Sequence, residues 1–186
     1  LARATGTDAT VASGIFAAAI RQFGMEATDA SRVADGLTAA ANKSFNSVES
    51  LGEALSYAGP VAADANMSLE ETLAILGTLG NIGIQGSSAG NALKRLLTLS
   101  AAESEKFQKV FGVATMDAAG NARPLVDILG EVADATKNLG SAEKAAKFNE
   151  VFGMLGITSA SAIGKSVSDT RALLAELRNA GGVADR

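Results

Sequence analysis

The side chains that most often carry out chemistry are thinly represented in this chain of 186 residues. It contains no Cys and no His. That removes thiolate and imidazole nucleophile pairs, a disulfide framework and a zinc site of the usual ligand set. A general base would have to be Asp, Glu, Lys or Tyr, and a metal would need a cage of oxygens. Three spacings still invite a chemical reading. Ser141-Ala142-Glu143-Lys144 has the Ser-x-x-Lys spacing of some acyl-transferring enzymes, but the companion motifs are missing and Ser ahead of Glu is an ordinary helix start. Gly80-x-x-Gly83-x-x-Gly86 before a helix suggests a phosphate-cradling loop. A P-loop, however, needs Lys-Ser/Thr directly after its last glycine, and a dinucleotide fingerprint needs a preceding strand. Here Lys94 lies two turns into the next helix and the preceding element reads as helical. Asp117 to Asn121 offers oxygen ligands and a glycine, without the second acidic ligand or closing Glu of a calcium loop. The plainer readings are preferred: a helix cap, a close-packed helix connection and a turn. Asp127, Glu131 and Asp134 share the outer face of one helix and read as solvated rather than catalytic. No catalytic residue, metal site or cofactor is expected.

The elements that would position such groups are predicted to be helices. Hydrophobic residues make up 47% of the chain and aromatic residues 4%, an apolar content too high for disorder. Most of it is Ala, Leu, Val and Ile, and Ala and Leu are the strongest helix formers. The net charge of −4 gives no reason to expect duplex binding, which needs clustered Lys and Arg, so stable sequence-specific nucleic-acid binding is not expected. The chain opens Leu1-Ala2-Arg3-Ala4 without Met and without a secretory signal pattern; it reads as a segment of something longer.

Short helical patterns follow one another, separated by Gly, Asn and Ser. Phe16, Ala19, Ile20 and Phe23 share one helix face that Gly24 would end. Thr28-Asp29 reads as an N-cap for a helix through Val33, Leu37 and Ala41, and Asn42 to Asn46 as a loop. Ser47 can cap a third helix, which Pro60 is expected to interrupt or restart. Ser68-Leu69-Glu70-Glu71 is a capping box, after which Leu69, Leu73, Leu76 and Leu79 form a buried stripe. A loop of residues 80–86 follows, then a helix opened by Ser87 with Ala89, Ala92, Leu93 and Leu96 inward, so that a helical hairpin is predicted. Val113-Ala114-Thr115 and the Asp117–Asn121 turn predict a small β-hairpin or an irregular excursion near residues 112–123. Pro124 suits a first helical turn, with Leu125, Ile128, Leu129 and Val132 facing inward. Further patterns run through Ala145, Phe148 and Phe152, from Ile157 to Val167, and through Leu173, Leu174 and Leu177 to Gly181-Gly182. The fold class is therefore all-α, a compact bundle of eight to ten short helices. It forms either one continuous domain or an N-terminal lobe of residues 1–100 and a C-terminal lobe of residues 101–186.

From Thr72 to Leu93 no charge appears, about the length that spans a bilayer. Five glycines and the polar Asn81, Gln85, Ser87, Ser88 and Asn91 interrupt this run. A spanning helix would bury those groups in lipid at a cost, so a hairpin folded in water is the preferred reading and membrane insertion the alternative. Gly86-x-x-x-Gly90 is a close-packing motif in either setting.

The order of these elements carries a resemblance. Arg32-Val33-Ala34-Asp35, Ala40 to Ser44, Ser47 to Pro60, Met67 to Thr72 and Asn81 to Leu93 follow one another as in the core region of phage tail tape measure proteins. The stretch from Gly83 through Leu97 is the most specific part, and Gly112 to Leu129 resembles its continuation. The resemblance covers most of the chain and is weakest after about Gly140. It implies a structural role without catalytic residues: a virion protein of the tail lumen, made in the host cytoplasm, that sets tail length during assembly and is involved in DNA ejection. The implied partners are other copies of itself, tail-tube protein, tail assembly chaperones and tail-tip proteins, with membrane contact during infection. A membrane-inserting module that helps form the genome-delivery channel is the alternative function. Ile82, Gly83, Ile84, Gln85, Gly86 and Ser87 are the candidate interaction or membrane-contact loop.

Overall fold

Side-chain caps start three of the helices in the computed structural model, which describes residues 1–185. Ten α-helices form among these residues: α1 (Ala2–Thr5), α2 (Ala9–Gln22), α3 (Ala30–Lys43), α4 (Val48–Asp64), α5 (Leu69–Asn81), α6 (Gly86–Ala102), α7 (Ser104–Phe111), α8 (Leu125–Thr136), α9 (Ser141–Lys165) and α10 (Val167–Arg178). The Asp8 carboxylate accepts from the Thr10 and Val11 amides to start α2. A 3-10 turn at Ala27–Asp29 leads into α3, and it is Glu26 and Asp29 that cap each other there rather than Thr28. Ser68 and Glu71 make the expected reciprocal pair, at 3.1 and 2.9 Å, each satisfying an amide that the first turn leaves without a partner.

The charge-poor helix α5 is the centre of the bundle. Eleven of its thirteen residues are buried, which fits a helix enclosed on all sides rather than one showing a single stripe. Leu69, Leu73, Leu76 and Leu79 are at most 1% exposed, each contributing roughly 1.5–3 kcal/mol by leaving water. The polar members of the helix find partners elsewhere in the chain. Thr78 Oγ1 lies 2.8 Å from Thr170 Oγ1 on α10, and Glu70 pairs with Arg32 on α3. Helices α3 and α10 cover one side of α5, while α4, α6 and α9 also touch it.

Two local expectations come out differently, and a third resolves to one of its two readings. Pro60 sits inside α4 without ending it. The carbonyl that loses its i→i−4 donor is that of Ser56, an exposed residue, so water can replace the missing bond. Next, α6 does not lie back along α5 as a simple hairpin; its most extensive contact is with α4. Gly90 makes that contact close, since a β-carbon there would lie 2.4 Å from the Ala54 carbonyl oxygen. Finally, the excursion after α7 has no strand among the described residues and is held by one antiparallel bridge, Met116 to Ala122. Asp117 takes up the pairing capacity there by accepting from the Ala119 and Asn121 amides. The helical patterns on either side of Gly153 form the two halves of α9, separated by a kink at that glycine, whose backbone is not helical. Pro124 is the N-cap of α8, and Leu125, Ile128, Leu129 and Val132 are buried as the pattern requires.

Candidate functional site

Residues 82–85 form the turn between α5 and α6, with Gly86 and Ser87 opening α6, and their backbone is tightly specified. Gly83 has φ 83°, a left-handed value that glycine adopts without strain. Its amide donates to the Gly80 carbonyl and the Ile84 amide to that of Leu79, both at 2.9 Å, which satisfies carbonyls the helix end would otherwise leave free. Ile82 is 47% exposed, Gly83 is exposed, Ile84, Gln85 and Ser87 are half-buried, and Gly86 is buried as the first residue of α6.

A second loop, between α3 and α4, is joined to this turn. Asn81 Oδ1 accepts from the Phe45 amide at 3.0 Å, and Gln85 Nε2 donates to the Phe45 carbonyl. Asn46 reaches the Leu76 carbonyl at 3.2 Å and packs so closely on Gly80 that a β-carbon there would meet its amide nitrogen at 2.0 Å. The loops thus brace one another while the Phe45 side chain stays 78% exposed. Sequence reasoning found residues 82–87 but not Phe45. Only the pairing of two loops 36 to 40 positions apart reveals that its backbone is fixed.

The glycine spacing 80, 83, 86 has no phosphate to cradle in this arrangement. A β-carbon at Gly86 would lie 2.4 Å from a Glu53 carboxylate oxygen. An acidic side chain therefore already occupies the neighbourhood of the α6 N-terminus, where it suits the helix dipole and would repel an anion. Ser141 and Lys144 sit in the first turn of α9. The Lys144 ammonium lies over the Phe148 ring, 5.7 Å from its centroid, so it is directed along the helix to an aromatic face. The carboxylates of α8 divide their attention: Asp127 pairs with Arg171 at 2.5 Å, Glu131 with Arg123, and Asp134 with Lys137 at 3.5 Å. No cluster of three or more His, Cys, Asp or Glu suited to a metal occurs among the described residues.

Two further features escape sequence reasoning because distant segments build them. One is a cleft of about 400 Å³ between α5, α6, α8 and α10, floored by residues such as Met67, Ile75, Leu97 and Leu174. Its rim arginines 123, 171 and 178 are each tied to a carboxylate. The other is the Arg32–Glu70 pair. Arg32 Nε and Nη2 meet the Glu70 oxygens at 2.6 and 2.8 Å, and the Glu70 side chain is 5% exposed. Burial pushes the Glu70 carboxyl up, but the Arg32 hydrogen bonds, a backbone amide and the charges of Arg32 and Arg178 hold it below the ordinary carboxylate range. No described helix is long and apolar enough to cross a membrane. The charge-free run is divided between α5 and α6.

Comparison with known proteins gives these elements a context. The sequence profile of a family described as phage-related minor tail protein matches residues 1–153. A tape measure protein of Pneumococcus phage Dp-1 is 35% identical over 147 residues, which is 77% of this chain and 13% of that protein. A probable tape measure protein of Escherichia phage P2 is 38% identical over 126 residues, 65% of this chain and 16% of that protein. The chain thus spans a small part of the length of the relatives it matches. No solved structure matches it.

Proposed function

The chain belongs to the phage-related minor tail protein family, as a region of a tape measure protein, and from that premise we propose that it is a folded, non-catalytic module of the tail ruler. Tail length would be set during assembly by chain outside this module, since a ruler must be extended and ten short helices around a common core are not. The module works by contact: with other copies of itself in the tail lumen, with tail-tube and tail-tip proteins and with assembly chaperones in the host cytoplasm. It stays in the virion until DNA ejection, in which it takes part. The contact surface is the loop Ile82–Ser87 together with Phe45.

The observation that carries this surface is the bracing of an exposed Phe45 by the side chains of Asn81 and Gln85. A rigid aromatic presented at low conformational cost is what a contact anchor requires. The test is to introduce Phe45→Ser and Ile82→Asp into a phage or prophage encoding this chain, then to score tails by electron microscopy and particles by infectivity. The expected result is a loss of complete tails while the isolated variant keeps its helix content. Normal tails with normal infectivity would remove the loop from the assembly contacts. Normal tails that fail to deliver DNA would move its role to ejection and the membrane.

A further inference from the structure

Helix α9 is broken at a single residue, and the break has features of a switch. Gly153 has φ 63° and ψ 170°, a region that essentially only glycine occupies. The carbonyl of Phe152, just before the break, accepts from Arg95 of α6 through Nε at 3.1 Å and Nη2 at 2.9 Å. The buried positions keep helical spacing across the break with one exception. Before the break Phe148, Val151 and Phe152 are buried; after it Gly156, Ser159, Ala160 and Ile163 are. An uninterrupted helix would continue the first stripe through Leu155, which lies seven residues after Phe148 and three after Phe152. Instead Leu155 is 82% exposed, beside Met154 at 83%.

The first half of α9 also meets α7 through an aromatic cluster. Phe107 and Phe111 of α7 interlock with Phe148 and Phe152, with ring centroids 5.3–6.1 Å apart. Lys147 Nζ donates to the Val110 carbonyl at 3.3 Å. This aromatic unit is packed into the common core, and its chain leaves helical geometry at Glu103, at the left-handed Gly112, at Gly140 and at Gly153. We propose that α7 and residues 141–152 form an arm that pivots at Gly153. In the bent state described here Arg95 latches the arm to α6. In the second state α9 is one straight helix and Leu155 joins the Phe148–Phe152 stripe. The exposed Leu155 is the residue that the bent state leaves without its place.

The absence of cysteine allows clean spin labelling at the exposed positions Ala145→Cys and Lys165→Cys, read by pulsed dipolar spectroscopy. A straight helix separates these positions by about 30 Å. The expected result is one shorter distance in the labelled parent and a second population near ~30 Å when Arg95→Met removes the latch. Adding Gly153→Ala, whose β-carbon would also meet Arg95 Nη2 at 2.8 Å, should enlarge that population. A cooperatively melting Arg95→Met variant with the parent distance alone would overturn the proposal. So would a Gly153→Ala variant that loses stability without gaining the long distance, since that is how a merely structural glycine behaves. Should Arg95→Met fail to fold, Arg95→Lys retains one donor and must show a smaller long-distance fraction; its absence counts equally against the switch.

Discussion

Arg32→Ala tests how the centre of the bundle tolerates a carboxylate. Glu70 lies on the enclosed helix α5 with a side chain 5% exposed, while the Arg32 side chain is 53% exposed. Removing one partner of a fully buried pair costs about 3–5 kcal/mol, whereas an exposed pair contributes about 0.2–1 kcal/mol. This pair is mixed, with the carboxylate buried and the guanidinium half in water. Arg178 also adds to the charge that favours ionised Glu70. An intermediate loss of about 2–3 kcal/mol near neutral pH is therefore expected. The sign of the pH dependence is fixed by the same geometry. In the parent the folded carboxyl titrates below its unfolded value of about 4.3. The pair's contribution is thus fully present above that value and is lost as pH falls through the folded one. In Arg32→Ala burial is no longer opposed by the guanidinium and the Glu70 carboxyl titrates higher. The variant's deficit should be largest at neutral pH and shrink toward about pH 4 as Glu70 takes up its proton. Urea unfolding followed by far-UV circular dichroism at both pH values measures it. The double variant Arg32→Leu, Glu70→Leu should recover most of the loss, because a buried ion pair replaced by apolar groups is often neutral. A deficit equal at both pH values would refute the reasoning, and so would one below about 0.5 kcal/mol at neutral pH, which is typical of a surface change.

Gly90→Ala would force a β-carbon against the Ala54 carbonyl and should cost about 1–3 kcal/mol by overpacking. Gly14→Ala, in α2 with open space around it, should gain roughly 0.5–1 kcal/mol; thermal melts that fail to give opposite signs would sink the close α4–α6 contact. Lobes 1–100 and 101–186 are expected to unfold together, because α10 packs on α3 and α5; two separate protection levels in native-state hydrogen exchange would show independent lobes. Liposomes mixed with the chain at neutral pH should retain their dye, as the charge-free run is split between α5 and α6, whereas leakage that Ile82→Asp abolishes would favour the membrane-inserting function.

Local chemistry was legible in the sequence wherever a residue acts on its near neighbours. The Ser68–Glu71 box, the Ser47 cap and the inward face of α8 all follow from spacing alone. What could not be read was anything decided by a partner far along the chain. Glu70, Thr72 and Thr78 look like the polar side of an amphipathic helix. They are buried because Arg32 and Thr170 bring partners to Glu70 and Thr78, while Thr72 Oγ1 donates back to the Ser68 carbonyl. Nothing near Pro60 announces that its helix continues, since that depends on an exposed Ser56. Gly153 has the same surroundings in sequence as a glycine within an ordinary helix, and the buried positions keep helical spacing across it, so nothing local announces its conformation. For the candidate site the turn was legible and its aromatic was not, because Phe45 is fixed by side chains from another loop.

The stretches that carry the tape measure resemblance have one physical property in common, which is that they hold helices against each other. Arg32 binds Glu70, and Asp35 accepts from the Gly182 and Ala184 amides at 2.8 and 2.7 Å, so that the segment after α10 is fastened to α3. Ser68 and Glu71 start the central helix, and Arg178 of α10 in turn reaches Glu71 at 3.0 Å. Asn81 and Gln85 hold the neighbouring loop, while Gly86 and Gly90 let α6 approach α4. Each of these residues has a packing or capping partner within the fold. The charge-free run from Thr72 to Leu93 fits the same logic. Its α5 part passes through the middle of the bundle and its α6 part lies closely on α4, where an unpaired charge would be costly. What remains outward near its turn is Ile82, 47% exposed, with Phe45, 78% exposed, on the loop that Asn81 and Gln85 hold.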